Sequence, residues 1–188
     1  TTKSSRAPHD DPRGPAVDTA CLNHLLTDAE SHEFESAGYF VVEEAVSGPL
    51  LARLLAAADT VYADERGRRG LPEGAMLNQL DFIGRDDVFL ELLDHPATFA
   101  KVCAILGWNI QLYHSHMIVT PPDPRAAGHS GRRLGWHQDT GRLNDELEGD
   151  PRPRVSLKVA FFLSDTSVPG RGNFHVIPGS HLRNTAQF

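Results

Sequence analysis

The sequence predicts an α+β fold, with helices packed on an antiparallel sheet or jelly roll. Two observations carry this. Apolar residues recur at helical spacing up to Gly107. From Asn109 onward they alternate, or sit in short runs broken by Pro and Gly. The change of character happens once, and no internal repeat interrupts it. With 188 residues, 40% of them hydrophobic and 23% charged, the chain can bury a sizeable core in one domain.

Residues 1–20 carry Pro8, Pro12, Gly14 and Pro15 among charges and read as a flexible N-terminal arm. Thr27-Asp28-Ala29-Glu30 fits a capping box, in which Thr27 and Glu30 satisfy the first free N–H groups of a helix. That helix ends near Gly38, and Tyr39 to Val42 reads as a short strand. Ser47 and Pro49 open a second helix. Its apolar face is Leu50, Leu51, Leu54, Leu55, Ala58, Val61 and Tyr62. Arg66 to Gly70 then reads as a solvated basic loop, with a phosphate-binding role as the sharper alternative. Residues 86–94 and 96–106 read as two more helices. In the second, Phe99, Val102, Cys103 and Leu106 form one stripe, which makes Cys103 a core residue.

Asn109 to Thr120 reads as a strand stopped by Pro121, Pro122 and Pro124. Gly128 to Arg133 is a basic loop, and residues 143–154 form a polar loop placed to cover a site. Val155, Leu157, Val159, Phe161 and Leu163 alternate as a strand should. Asn173 to Ile177 is a further strand, followed by the tight Pro178-Gly179 turn.

A formal net charge of -7 favours neither nucleic acid nor an anionic membrane as partner. No apolar run approaches the roughly 20 residues of a membrane span, and Thr1 to Asp18 has no leader-like apolar stretch. The two cysteines make no disulfide framework. A reducing cytoplasm is the expected location.

The chemistry centres on Trp136-His137-Gln138-Asp139. On an extended segment, residues i and i+2 project to one face. His137 and Asp139 would point together, with Gln138 turned away. An imidazole and a carboxylate so placed are two members of the 2-His-1-carboxylate triad that holds non-haem Fe(II). The same triplet also occurs as a plain surface hydrogen bond, and spacing alone leaves both readings open. His114 and His116 also share a strand face. They either line the same pocket or ligate a separate metal, as in cupin-like proteins.

Four segments in order resemble the phytanoyl-CoA dioxygenase family of Fe(II)/2-oxoglutarate oxygenases. They are Phe34-Glu35-Ser36-Ala37-Gly38-Tyr39-Phe40-Val41-Val42, Met117-Ile118-Val119-Thr120-Pro121-Pro122-Asp123, Trp136-His137-Gln138-Asp139, and the run from Gly172 to His181 that ends Pro178-Gly179-Ser180-His181. The resemblance implies a double-stranded β-helix core with N-terminal helices packed on the sheet. It makes residues 21–188 a single oxygenase-like domain with Fe(II) as metal and 2-oxoglutarate as cosubstrate. His137 and Asp139 become iron ligands. Met117, Phe161 and Asn78 fall along the cosubstrate pocket, and Gln111, Tyr113 and Ser115 face the primary substrate.

The implied reaction is hydroxylation by O₂ of a small molecule or biosynthetic intermediate, free or linked to a carrier or CoA. Succinate and CO₂ are released. Asp139 stands where related halogenases carry a small residue, which argues against chlorination. The family places a distal iron histidine and a cosubstrate-pairing arginine well after the Pro178–His181 turn. Neither has a counterpart before Phe188, since His181 and Arg183 lie too close to the turn. The domain is therefore expected to lack its C-terminal strands. A non-catalytic jelly-roll binding protein, and a cupin-like metal isomerase or lyase using His114 and His116, are the alternative expectations.

Overall fold

The computed structural model of the chain describes residues 19–122, 136–139, 143, 146–147 and 153–183. The expected arm up to Asp18, the basic loop Gly128–Arg133 and most of the 143–154 loop lie outside the described residues.

A 3₁₀ turn, Ala20–His24, leads into helix α1, Asp28–Ala37. The capping box forms as its sequence predicts. Glu30 N–H donates to Thr27 Oγ1 at 3.2 Å, and Thr27 N–H donates to Glu30 Oε2 at 2.9 Å. Gly38 closes the helix at φ 87°, a left-handed conformation that suits a residue without Cβ. No strand forms at Tyr39–Val42; that segment has no ladder partner among the described residues.

Helix α2 runs from Gly48 to Arg69. Leu54, Ala57, Val61 and Glu65 form its buried stripe. The residues read as a basic loop, Arg66–Arg69, are instead its last turn. The reason lies in Glu65, whose side chain is only 1% exposed. Arg69 Nε donates to it at 2.9 Å and Arg85 Nη1 at 2.8 Å, and Arg68 completes the cluster. Two of these partners sit three and four residues on, the spacing that holds a helix together. Gly70 then stops it in the left-handed region, at φ 62°.

Two strands pair antiparallel: β1, Leu77–Leu80, and β2, His116–Val119. The register sets Leu77 opposite Val119 and Gln79 opposite Met117 on one face, with Asn78 opposite Ile118 and Leu80 opposite His116 on the other. The first face is buried against α2. It forms a core of Leu54, Ala57, Val61, Leu77, Val88, Phe89 and Met117, with Leu163 packed against its margin. Arg69 stitches α2 to β1 through Gln79 and the Asn78 carbonyl. A 3₁₀ turn at Asp87–Leu92 replaces the expected helix over 86–94. Asp86 caps it by accepting from Val88 N–H at 2.9 Å, and Phe89 stacks edge-on to Phe82 with centroids 4.9 Å apart.

Helix α3, Pro96–Leu106, matches its predicted bounds, and Cys103 is buried in it. His95 is buried. Its Nδ1 accepts from Ala97 N–H at 3.3 Å and caps α3, and burial lowers its pKa. Lys101 on α3 reaches back to the Leu25 carbonyl at 3.1 Å and to Glu30 at 2.6 Å.

Among the described residues, β1 and β2 are the only strands in a ladder. Val155–Leu163 and Asn173–Ile177, both expected as strands, have no ladder among them. Leu157, Phe161 and Leu163 are half-buried, whereas Val155 and Val159 are exposed. A strand needs hydrogen-bonded neighbours to be one, and neither segment has them here. The described architecture is mixed helix and sheet.

Candidate metal centre

His137 and Asp139 approach each other, although residues 136–139, expected on a short strand, form none and Asp139 lies in a turn. His137 Nε2 lies 3.6 Å from Asp139 Oδ1. Two metal bonds of about 2.1 Å can bridge roughly 4.2 Å at most, so one cation can reach both atoms. Gln138 points the other way. Its Nε2 donates to the Ser180 carbonyl at 2.7 Å and to the Arg183 carbonyl at 2.8 Å. Trp136 precedes the pair with about half its surface exposed.

Lys158 supplies the site's cation. Its Nζ lies 2.5 Å from Asp139 Oδ2. That hydrogen bond, with the lysine's charge and smaller help from His137 and His116, holds the Asp139 carboxyl below its usual range. The carboxylate is ionised, as a metal ligand must be, and Lys158 occupies the carboxylate that a metal would take. The donor set, one imidazole and one carboxylate, thus fits two ligands of a non-haem iron. Among the described residues, no group of three or more His, Cys, Asp or Glu side chains is arranged to hold a metal ion.

His114 and His116 stand beside this pair. Their rings lie 3.7 Å apart, and His116 Nε2 meets His114 Nδ1 at 3.3 Å. Burial pushes the His116 pKa down, His114 and Lys158 act in the same direction, and Asp139 opposes them. The two histidines therefore line the neighbourhood of His137 and Asp139. Asn78 is exposed on the His116 face of the ladder. Met117 lies on the opposite face, 9% exposed within the core. Phe161 is half-buried against His95, with centroids 6.0 Å apart. Tyr113 Oη and Ser156 Oγ share a hydrogen bond of 2.8 Å, which sets residues 156–158 alongside 113–116.

The family model described as phytanoyl-CoA dioxygenase (PhyH) matches residues 34–187. The chain belongs to the phytanoyl-CoA dioxygenase family. Membership supports an oxygenase-type enzyme in general, and Fe(II) and 2-oxoglutarate are typical of the family. No curated protein and no solved structure matches the chain. Among the described residues, no helix is long and apolar enough to cross a membrane.

In this phytanoyl-CoA dioxygenase relative, His181 hydrogen-bonds the end of α1. Glu35 offers a carbonyl, which can only accept, so His181 Nε2 is the donor, at 3.2 Å. Lys158 was missed by reading Val155–Leu163 for its apolar members alone. The same alternation puts Ser156 and Lys158 on the other face, and that was the available signal. Glu65 was missed because a carboxylate on an otherwise apolar stripe reads as a break in it.

Proposed function

We propose that the chain is an Fe(II)/2-oxoglutarate-dependent dioxygenase with His137 and Asp139 as two of its iron ligands. It would hydroxylate a small molecule or biosynthetic intermediate, free or carrier- or CoA-linked, consuming O₂ and releasing succinate and CO₂. The observation that carries this reading is the 3.6 Å approach of His137 Nε2 to Asp139 Oδ1, with Gln138 anchored on the opposite side. Family membership supplies the chemical class.

Fe(II) with 2-oxoglutarate would supply the activation of O₂ that oxidises the substrate. The residues do the rest. His137 offers a ring nitrogen and Asp139 an ionised oxygen. Lys158 neutralises that oxygen until a metal takes its place. Trp136, next to the pair in the chain, is the side chain proposed to wall one side of the site. Asn78, on the His116 face, and Phe161 are the side chains proposed to meet the cosubstrate. Met117 supports the same pocket from the core side of β2. Free Cys21 and Cys103 and ferrous iron both suit a reducing cytoplasm.

The test is succinate formation from 2-oxoglutarate with Fe(II) and a panel of small-molecule substrates. His137→Ala and Asp139→Ala should each fall to background. Full activity in both variants would sink the assignment. His114→Ala and His116→Ala should keep turnover with altered KM. Loss of bound metal in these two, with retention in Asp139→Ala, would favour the isomerase or lyase reading instead.

A further inference from the structure

We infer that Gln138 is a positioning residue that couples the metal pair to the C-terminal end of α1 through the Gly179–Arg183 turn. The inference rests on the reading of His137 and Asp139 as ligands. Gln138 Nε2 spends both its hydrogens on one structure. It donates to Ser180 O at 2.7 Å and Arg183 O at 2.8 Å, the two ends of the 3₁₀ turn Ser180–Leu182. That turn is fastened to α1. Gly179 N–H donates to Ala37 O at 2.9 Å, and His181 Nε2 donates to Glu35 O at 3.2 Å. Both acceptors belong to the last turn of α1, whose carbonyls the helix itself leaves without partners.

Gly38 makes the fit tight. A Cβ built there would lie 2.4 Å from His181 Nδ1. The chain of contacts is thus continuous: ligand pair, Gln138, turn, imidazole, helix end. A peptide carrying two ligands on one side can roll about its own axis, and a roll displaces both donors together. Two hydrogen bonds on the opposite side prevent it. Losing a group that hydrogen-bonds a metal ligand directly typically costs 10- to 100-fold in affinity, and a brace one residue removed falls at the low end of that range.

The test titrates the full chain with Mn(II) by calorimetry and records the d–d absorption of the Co(II)-loaded protein. Unfolding midpoints of the metal-free variants are measured alongside. Gln138→Met keeps the side chain's length and removes both donors. It should weaken Mn(II) binding about tenfold and shift the Co(II) bands while the metal-free midpoint stays close to wild type. His181→Phe keeps a ring against Phe34 and removes the bond to Glu35. It should shift the same bands from the far end of the chain, and keeps the idea testable if Gln138→Met does not fold. The double variant should be no worse than Gln138→Met alone, because both act through one turn. Wild-type affinity and wild-type bands in Gln138→Met, with binding lost in Asp139→Ala, would overturn the inference and leave the ligand assignment standing. Undiminished binding in Asp139→Ala would remove the ligand assignment, and the inference with it.

Discussion

Replacing Lys158 with Met should make the site bind a divalent metal more tightly. Lys158 Nζ sits 2.5 Å from Asp139 Oδ2, and the two side chains are 54% and 44% exposed. An entering dication either displaces the ammonium or shares the carboxylate with it. Sharing sets a double and a single positive charge about 5 Å apart, a repulsion of roughly 1.7 kcal/mol even at the dielectric constant of water. Displacement forfeits only a half-exposed ion pair, worth about 0.2–1 kcal/mol. Displacement therefore wins, and its cost is what Lys158→Met removes. Affinity should rise about 1.4- to fivefold. Anaerobic calorimetry with Mn(II) reads this directly, and raising the salt should shrink the difference. Lys158→Arg, which keeps the charge, should behave as wild type. Equal or weaker binding in Lys158→Met would refute the idea that lysine and metal compete for Asp139.

Three further predictions concern the frame around the site. The arginine cluster holds the Glu65 carboxyl down to about 2 from a usual value of 4.5. A lowered carboxylate stabilises the fold above its unfolded pKa, and that stabilisation drains away as pH falls towards the folded one. Glu65→Gln should therefore unfold earlier than wild type in urea at neutral pH, with the gap narrowing from about pH 4.5 towards 2; a constant gap would exclude the mechanism. Thr27→Ala removes one half of the capping box and should destabilise by about 0.5–2 kcal/mol, read from urea midpoints. Phe89→Ala, which empties a core position only 1% exposed, should destabilise by about 3–5 kcal/mol; a change under 1 kcal/mol would mean that the core collapses into the space.

Local signals were legible, and tertiary ones were not. Thr27, Glu30 and Gly38 bound α1 because a cap and a stop act within one turn of helix. The i, i+2 spacing of His137 and Asp139 forecast their convergence and the opposite course of Gln138 for the same reason. Arg66–Arg69 was misread because the residue that makes it helical, Glu65, is satisfied partly by Arg85, 20 positions on. Strand β1 is four residues long and two of them are amides, so nothing in Leu77-Asn78-Gln79-Leu80 announces it. It is a strand because β2 lies beside it. Lys158 and Gln138 gain their roles only from partners 19 and 42 or more residues away. Spacing could say where they point and not what they would meet.

The fastening of the 179–183 turn has a consequence for how the protein is made. Helices α1 to α3 and the ladder use residues up to Val119. The brace behind the metal pair uses Arg183, 45 positions after Gln138, and joins His181 to Glu35 across 146. At about 5–20 residues per second, a ribosome needs roughly 2–9 s to add those 45 residues. Until the turn has closed on α1, His137 and Asp139 sit on an unbraced peptide. Iron captured then would be weakly held and readily exchanged for a competing ion. On the proposed reading of this pair as iron ligands, faithful loading would wait for the turn to close on α1.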